Sequence, residues 1–150
     1  MSESLSYEEL LERNGSLTYT NVGTSMMPLL RQGRDLFTVV PKSGRCHVGD
    51  VALFRRPPKS WVLHRVVEVL PEGKGYLILG DNCIRREYVE EDNVIGVMTG
   101  FMRDGQQHSV DDPAYRAYVR VILVTERPRV FVKRVLLALR RRISRAVRHA

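Results

Sequence analysis

Four side chains able to do nucleophilic or proton-transfer chemistry stand out by their company. Ser25 lies in Gly23-Thr24-Ser25-Met26-Met27-Pro28, where there is no helix for its hydroxyl to cap. His64 lies in the apolar run Trp61-Val62-Leu63-His64-Arg65-Val66-Val67, which sets its ring against apolar neighbours. Asp81 belongs to Gly80-Asp81-Asn82, and Glu87 follows shortly after. Hydroxyl, imidazole and carboxylate are the parts of one kind of chemistry. A serine hydroxyl attacks an amide carbonyl only when a nearby base takes its proton. An imidazole, with an unperturbed pKa of about 6.5, is close to the required strength. A carboxylate can fix the tautomer of such a ring and stabilise its charged form. A single Ser or His is usually an ordinary surface or core residue, so the weight falls on their order along the chain.

That order is specific. Ser25-Met26-Met27-Pro28, then Gly49-Asp50-Val51, then Leu63-His64-Arg65-Val66, then Gly80-Asp81-Asn82 resembles the type I signal peptidase superfamily, which also includes the self-cleaving repressors of the DNA-damage response. The resemblance covers residues 20–100. It implies that Ser25 is the nucleophile and that His64 is the general base. His64 stands where bacterial leader peptidases carry lysine and where the archaeal and endoplasmic-reticulum branch carries histidine. Two acids compete to orient His64: Asp81 first, with Glu87 as the alternative at a longer reach. The resemblance puts the backbone N–H of Ser25 in the oxyanion hole. Gly23 replaces the serine donor of bacterial members, which leaves Thr24 to compensate. Met26 and Pro28 shape the turn and line the substrate groove. The implied substrate is an extended peptide or protein segment, docked as an added strand with small residues near the cut. No metal or cofactor is called for. Cys46-His47 and Cys83 with His108 do not have zinc-ligand spacing, and both cysteines read as free thiols.

The elements that must hold these groups are mainly β. Short runs rich in Val, Ile, Leu, Phe, Tyr and Thr at 17–22, 36–41, 51–54, 61–70, 76–79 and 94–102 are separated by Gly, Pro, Asp and Asn. This predicts a compact antiparallel β domain, barrel-like in the resemblance, over 17–111. Asp104-Gly105 predicts a hairpin turn returning through 107–110. Gly49-Asp50 reads as a turn between strands. On a strand, Arg65 points to the face opposite His64, where an acid can pair with it. Before the β region, residues 1–16 contain a short helix over 6–14, opened by the capping-box pattern Ser6-x-x-Glu9 and stopped at Asn14-Gly15. After it, 112–150 is helical. Asp112-Pro113 starts the first helix, Arg127-Pro128 breaks it, and 129–148 restarts.

Charge is unevenly placed. The 150-residue chain carries 24 Lys and Arg against 17 Asp and Glu, for a formal charge of +7. Nine of those basic residues and none of the acidic ones lie in 127–150. There, Val132, Val135, Leu136, Leu139, Ile143, Ala146 and Val147 share one helix face, and the basic residues cover the rest. Such a helix suits an anionic membrane surface; the plainer reading packs its stripe on the body or on a second copy. Nucleic acid is the weaker partner, since Phe131 is the only aromatic in the tail. No apolar run reaches the roughly 20 residues of a membrane span, and no secretory leader opens the chain. The expectation is therefore a cytoplasmic or peripherally membrane-associated serine endopeptidase. The rival reading is a non-catalytic peptide-binding or scaffold module attached to a membrane.

Overall fold

A computed structural model describes residues 6–58 and 60–148; residues 1–5, 59 and 149–150 lie outside it. The chain opens with α1 (Tyr7–Asn14). Its start is fixed by the expected capping box: the Ser6 backbone N–H donates to Glu9 Oε2 at 2.7 Å, and the Glu9 N–H donates to Ser6 Oγ at 3.2 Å. Its end is fixed by Gly15, whose φ of 70° admits the left-handed cap that a side chain would strain.

Eight antiparallel strands follow: β1 (Leu17–Thr20), β2 (Leu36–Pro41), β3 (Val51–Arg56), β4 (Ser60–Val69), β5 (Tyr76–Leu79), β6 (Glu87–Val89), β7 (Val94–Arg103) and β8 (Gln106–Ser109). They form one mainly antiparallel sheet in the order β1-β2-β7-β3-β4-β5-β6, with β8 paired to β7. The predicted antiparallel β fold is thus present, as an open sheet with β1 and β6 at its ends. The β7–β8 turn is made by Asp104 (φ 50°) and Gly105 (φ 77°), the left-handed pair that an Asp-Gly hairpin provides.

Period-two alternation divides β3 between two clusters. Val51 and Leu53 join a core with Leu11 of α1, Met26, Leu30, Phe37, Val39, Leu63 and Met98; Ala52 and Phe54 join Val66, Tyr76, Ile78 and Val94. The first cluster also takes Tyr115 from α2 (Pro113–Val124), so both terminal segments share a core with the sheet.

α3 (Glu126–Arg148) begins sooner than expected. The break falls at Thr125, not at Arg127-Pro128. Pro128 occupies the first turn, where a missing N–H and a fixed φ cost nothing. Thr125 closes α2 through its hydroxyl to the Val121 carbonyl at 2.6 Å, and its own carbonyl accepts the Arg129 N–H at 2.9 Å. Among the described residues no helix is long and apolar enough to cross a membrane.

Candidate active site

Ser25 sits in the irregular turn between β1 and β2, half-buried. Met26 anchors this turn: it is fully buried in the first core cluster. Asn82 clamps it from the other side, its backbone N–H donating to the Ser25 carbonyl at 2.7 Å and its Nδ2 to the Thr24 carbonyl at 3.0 Å. The Gly80-Asp81-Asn82 segment therefore holds the Ser25 backbone in place. Among the described residues the Ser25 backbone N–H has no acceptor, so it remains available to a developing negative charge.

His64 comes from β4 and is 8% exposed. Its cross-strand partner is Ala52, small enough to leave room for a ring, and Phe54 meets the imidazole edge-on with centroids 6.1 Å apart. Burial, and then the Arg56 guanidinium, push its pKa down to about 4, against the opposing pull of Glu87 and Asp81. The ring is neutral at pH 7 and able to accept a proton.

Gly80 is the point where these groups meet. A Cβ placed there would lie 2.7 Å from Cys83 Sγ, 2.8 Å from the Ser25 carbonyl oxygen and 3.0 Å from His64 Nε2. Ser25 and His64 both line one cavity of about 680 Å³, together with Tyr19, Trp61, Glu87 and Lys133. Neither the Ser25 hydroxyl nor the imidazole makes a hydrogen bond among the described residues. Gly80 has an ordinary φ, so its constraint is space alone. Gly80→Ala is expected to displace the imidazole or the serine turn. The reaction rate with a serine-directed fluorophosphonate should fall by about 100-fold, as expected for a misplacement near 1 Å. An unchanged rate would show that the close approach at Gly80 is incidental.

The two acids occupy different places. Asp81 is fully engaged elsewhere: it accepts Arg65 Nε and Nη2, each at 2.7 Å, and the Tyr118 hydroxyl at 2.8 Å. Burial, then the Asp81 charge and hydrogen bond, push the Tyr118 pKa well above the ordinary phenol value, which keeps it a donor. Arg65 does find an acid on the face opposite His64, and that acid is Asp81. Its Nη1 also donates to the Gly49 carbonyl at 2.7 Å and to the Tyr115 hydroxyl at 3.2 Å, and the guanidinium lies over both tyrosine rings. Glu87 lines the cavity with His64 and is paired with Arg56, Nε to Oε1 at 2.9 Å. Neither carboxylate is hydrogen-bonded to the imidazole. Of the residues expected beside Ser25, Thr24 (the compensating oxyanion donor) is exposed, Met26 is in the core, and Pro28 lies over a separate hollow with Phe101, His108 and Tyr118; none of the three lines the cavity.

Other residues at the site were not anticipated. Arg56 depresses His64 and holds Glu87. From α3, Lys133 Nζ reaches both the carbonyl and the side-chain oxygen of Asn82, Arg129 reaches the Asp81 carbonyl, and Arg134 donates to the Ile84 carbonyl at 2.9 Å. Lys133 and Leu137 thereby form part of the cavity wall. Their i, i+4 spacing places them on one helix face, a signal hidden among the many cations of the amphipathic tail. Cys83 also lines the cavity; burial, eased by Lys133, raises its pKa and keeps it a thiol. Cys46 is buried, also as a free thiol. No cluster of three or more His, Cys, Asp or Glu that could hold a metal occurs among the described residues.

No family model matches this sequence, and no curated protein matches it.

Proposed function

We propose that the chain is a signal-peptidase-like serine endopeptidase in which Ser25 attacks the scissile carbonyl and His64 receives its proton. The observation that carries the reading is the convergence of the Ser25 backbone carbonyl and His64 Nε2 at Gly80, from positions far apart in the chain, with both residues on the wall of one cavity. Ser25 Oγ adds to the carbonyl carbon as its proton passes to the imidazole, and the oxyanion meets the Ser25 N–H. When the intermediate collapses, the imidazolium gives that proton to the departing amine. Water then repeats the sequence on the acyl ester, with His64 again as the base.

The cavity suits an extended peptide. β5 begins its pairing with β4 at Arg65, so among the described residues Trp61–His64 pair only with β3 and present an open edge. Among the described residues β1 pairs only with β2, and its Leu17, Tyr19 and Thr20 line the same cavity. A peptide strand has main-chain partners available on both sides, and the side-chain pockets between them supply selectivity.

Fluorophosphonate labelling across pH tests the assignment. The native base has a pKa of about 4, so the labelling rate should stay flat from pH 8 to pH 5 and fall only as His64 becomes protonated. The same depression has a stability consequence of definite sign. Between the unfolded value of about 6.5 and the native one, only the unfolded chain takes up the proton, so stability falls as pH is lowered through this window, by roughly 3 kcal/mol. No labelling of Ser25 at any pH would defeat the peptidase reading; a rate titrating near pH 6.5 would defeat the buried-base account.

A further inference from the structure

The far half of α3 projects an apolar stripe that nothing among the described residues covers. Leu136 is 60% exposed, Ile143 64% and Val147 72%, and Val132, Val135 and Leu139 are exposed on the same face. The body-facing residues Arg129, Lys133 and Leu137 lie about 100° round the helix from that stripe. Beyond them, Arg140, Arg141, Arg142, Arg145 and Arg148 make no ion pair among the described residues. A second copy of α3 would lay cation against cation, because residues 127–150 contain no acid. A nucleic acid would take the cations and leave the stripe in water.

We propose that α3 seats the protein on an anionic bilayer surface, with the stripe in the acyl boundary and the arginines among the headgroups. Charge complementarity and the uncovered apolar face both point to that occupant. Because the stripe lies beside the body-facing side and not opposite it, the sheet stands alongside the docked helix. The part of the cavity wall formed by Lys133 and Leu137 then lies near the membrane plane.

The test is co-sedimentation of the full chain with vesicles of phosphatidylcholine containing about 30% phosphatidylserine, an anionic surface of the kind that attracts basic segments. Strong binding is expected, with little to phosphatidylcholine alone. Leu136→Glu/Leu139→Glu/Ile143→Glu alters only exposed positions and should abolish binding while leaving fluorophosphonate labelling in solution intact. Arg140→Gln/Arg141→Gln/Arg142→Gln should weaken it by about 100-fold, from the loss of three headgroup-attracted charges. Equal binding by the parent and the triple-Glu chain would overturn the proposal. So would a concentration-dependent dimer abolished by the Glu changes without any vesicle binding, or duplex DNA binding stronger than vesicle binding and unaffected by them. Vesicle binding is read without catalysis, so its failure is separable from a failure of Ser25 to react.

Discussion

Ser25→Ala is expected to abolish fluorophosphonate labelling and to lower peptide-cleavage kcat by about 10⁴–10⁶-fold, the range found when a serine nucleophile or its base is removed. His64→Ala should cost a similar factor. The double variant should be no worse than either single one, since the two groups act as one unit and their losses do not add. The fold should not notice the serine change. Ser25 is half-buried and its hydroxyl makes no hydrogen bond among the described residues, so denaturant unfolding should shift by less than about 0.5 kcal/mol. Met26 and Asn82, which hold the turn, remain in place. Cleavage undiminished in purified Ser25→Ala protein would remove the nucleophile from the mechanism. Separate, additive losses in the double variant would argue against a coupled pair.

Arg65→Ala should be strongly destabilising, by about 3–5 kcal/mol in urea unfolding. The Arg65–Asp81 pair is buried on both sides, 0% and 1% exposed, and Tyr118 and Tyr115 complete its hydrogen bonds. Removing one member strands the other charge where water cannot reach it. Set against the 5–15 kcal/mol of a typical domain, such a loss can leave little folded protein. Asp81→Ala should cost as much and should also loosen Asn82 from the serine turn, so its effect on cleavage would arrive through the backbone. Glu87→Ala makes the contrast. Its pair with Arg56 is part-exposed, 42% and 32%, and should contribute no more than about 1 kcal/mol. A paired replacement, Arg65→Met with Asp81→Leu, should recover much of the loss, because two apolar groups leave no stranded charge. If Arg65→Ala unfolds at the parent's urea midpoint, the buried pair does not hold the fold together.

Local signals were legible wherever one short stretch contains both the donor and the acceptor of its own geometry. The Ser6–Glu9 box, the Gly15 stop and the Asp104-Gly105 hairpin formed as expected because each is closed within a few residues. The strand runs were readable from β-branched and aromatic content, except β6. Glu87–Val89 is too short and too polar to stand out, and it exists because β5 offers an edge. The Pro128 reading failed on register: the same residue that breaks a helix interior fits its first turn, and Thr125 settled which applied.

The sequence alone determined the antiparallel β class, the bracketing helices, the charge-segregated amphipathic tail and, through strand parity, the opposition of Arg65 and His64. Tertiary structure decided which acid Arg65 meets. It also decided that Asp81 is consumed by that meeting, and that Gly80 leaves just enough room for a serine turn and an imidazole to approach. Only the folded chain brings Lys133 and Leu137 of the tail to the cavity. The physical reason is range: caps, turns and alternation are set by neighbours a few residues apart, whereas partner choice among several acids depends on packing distances between segments that the chain order does not encode.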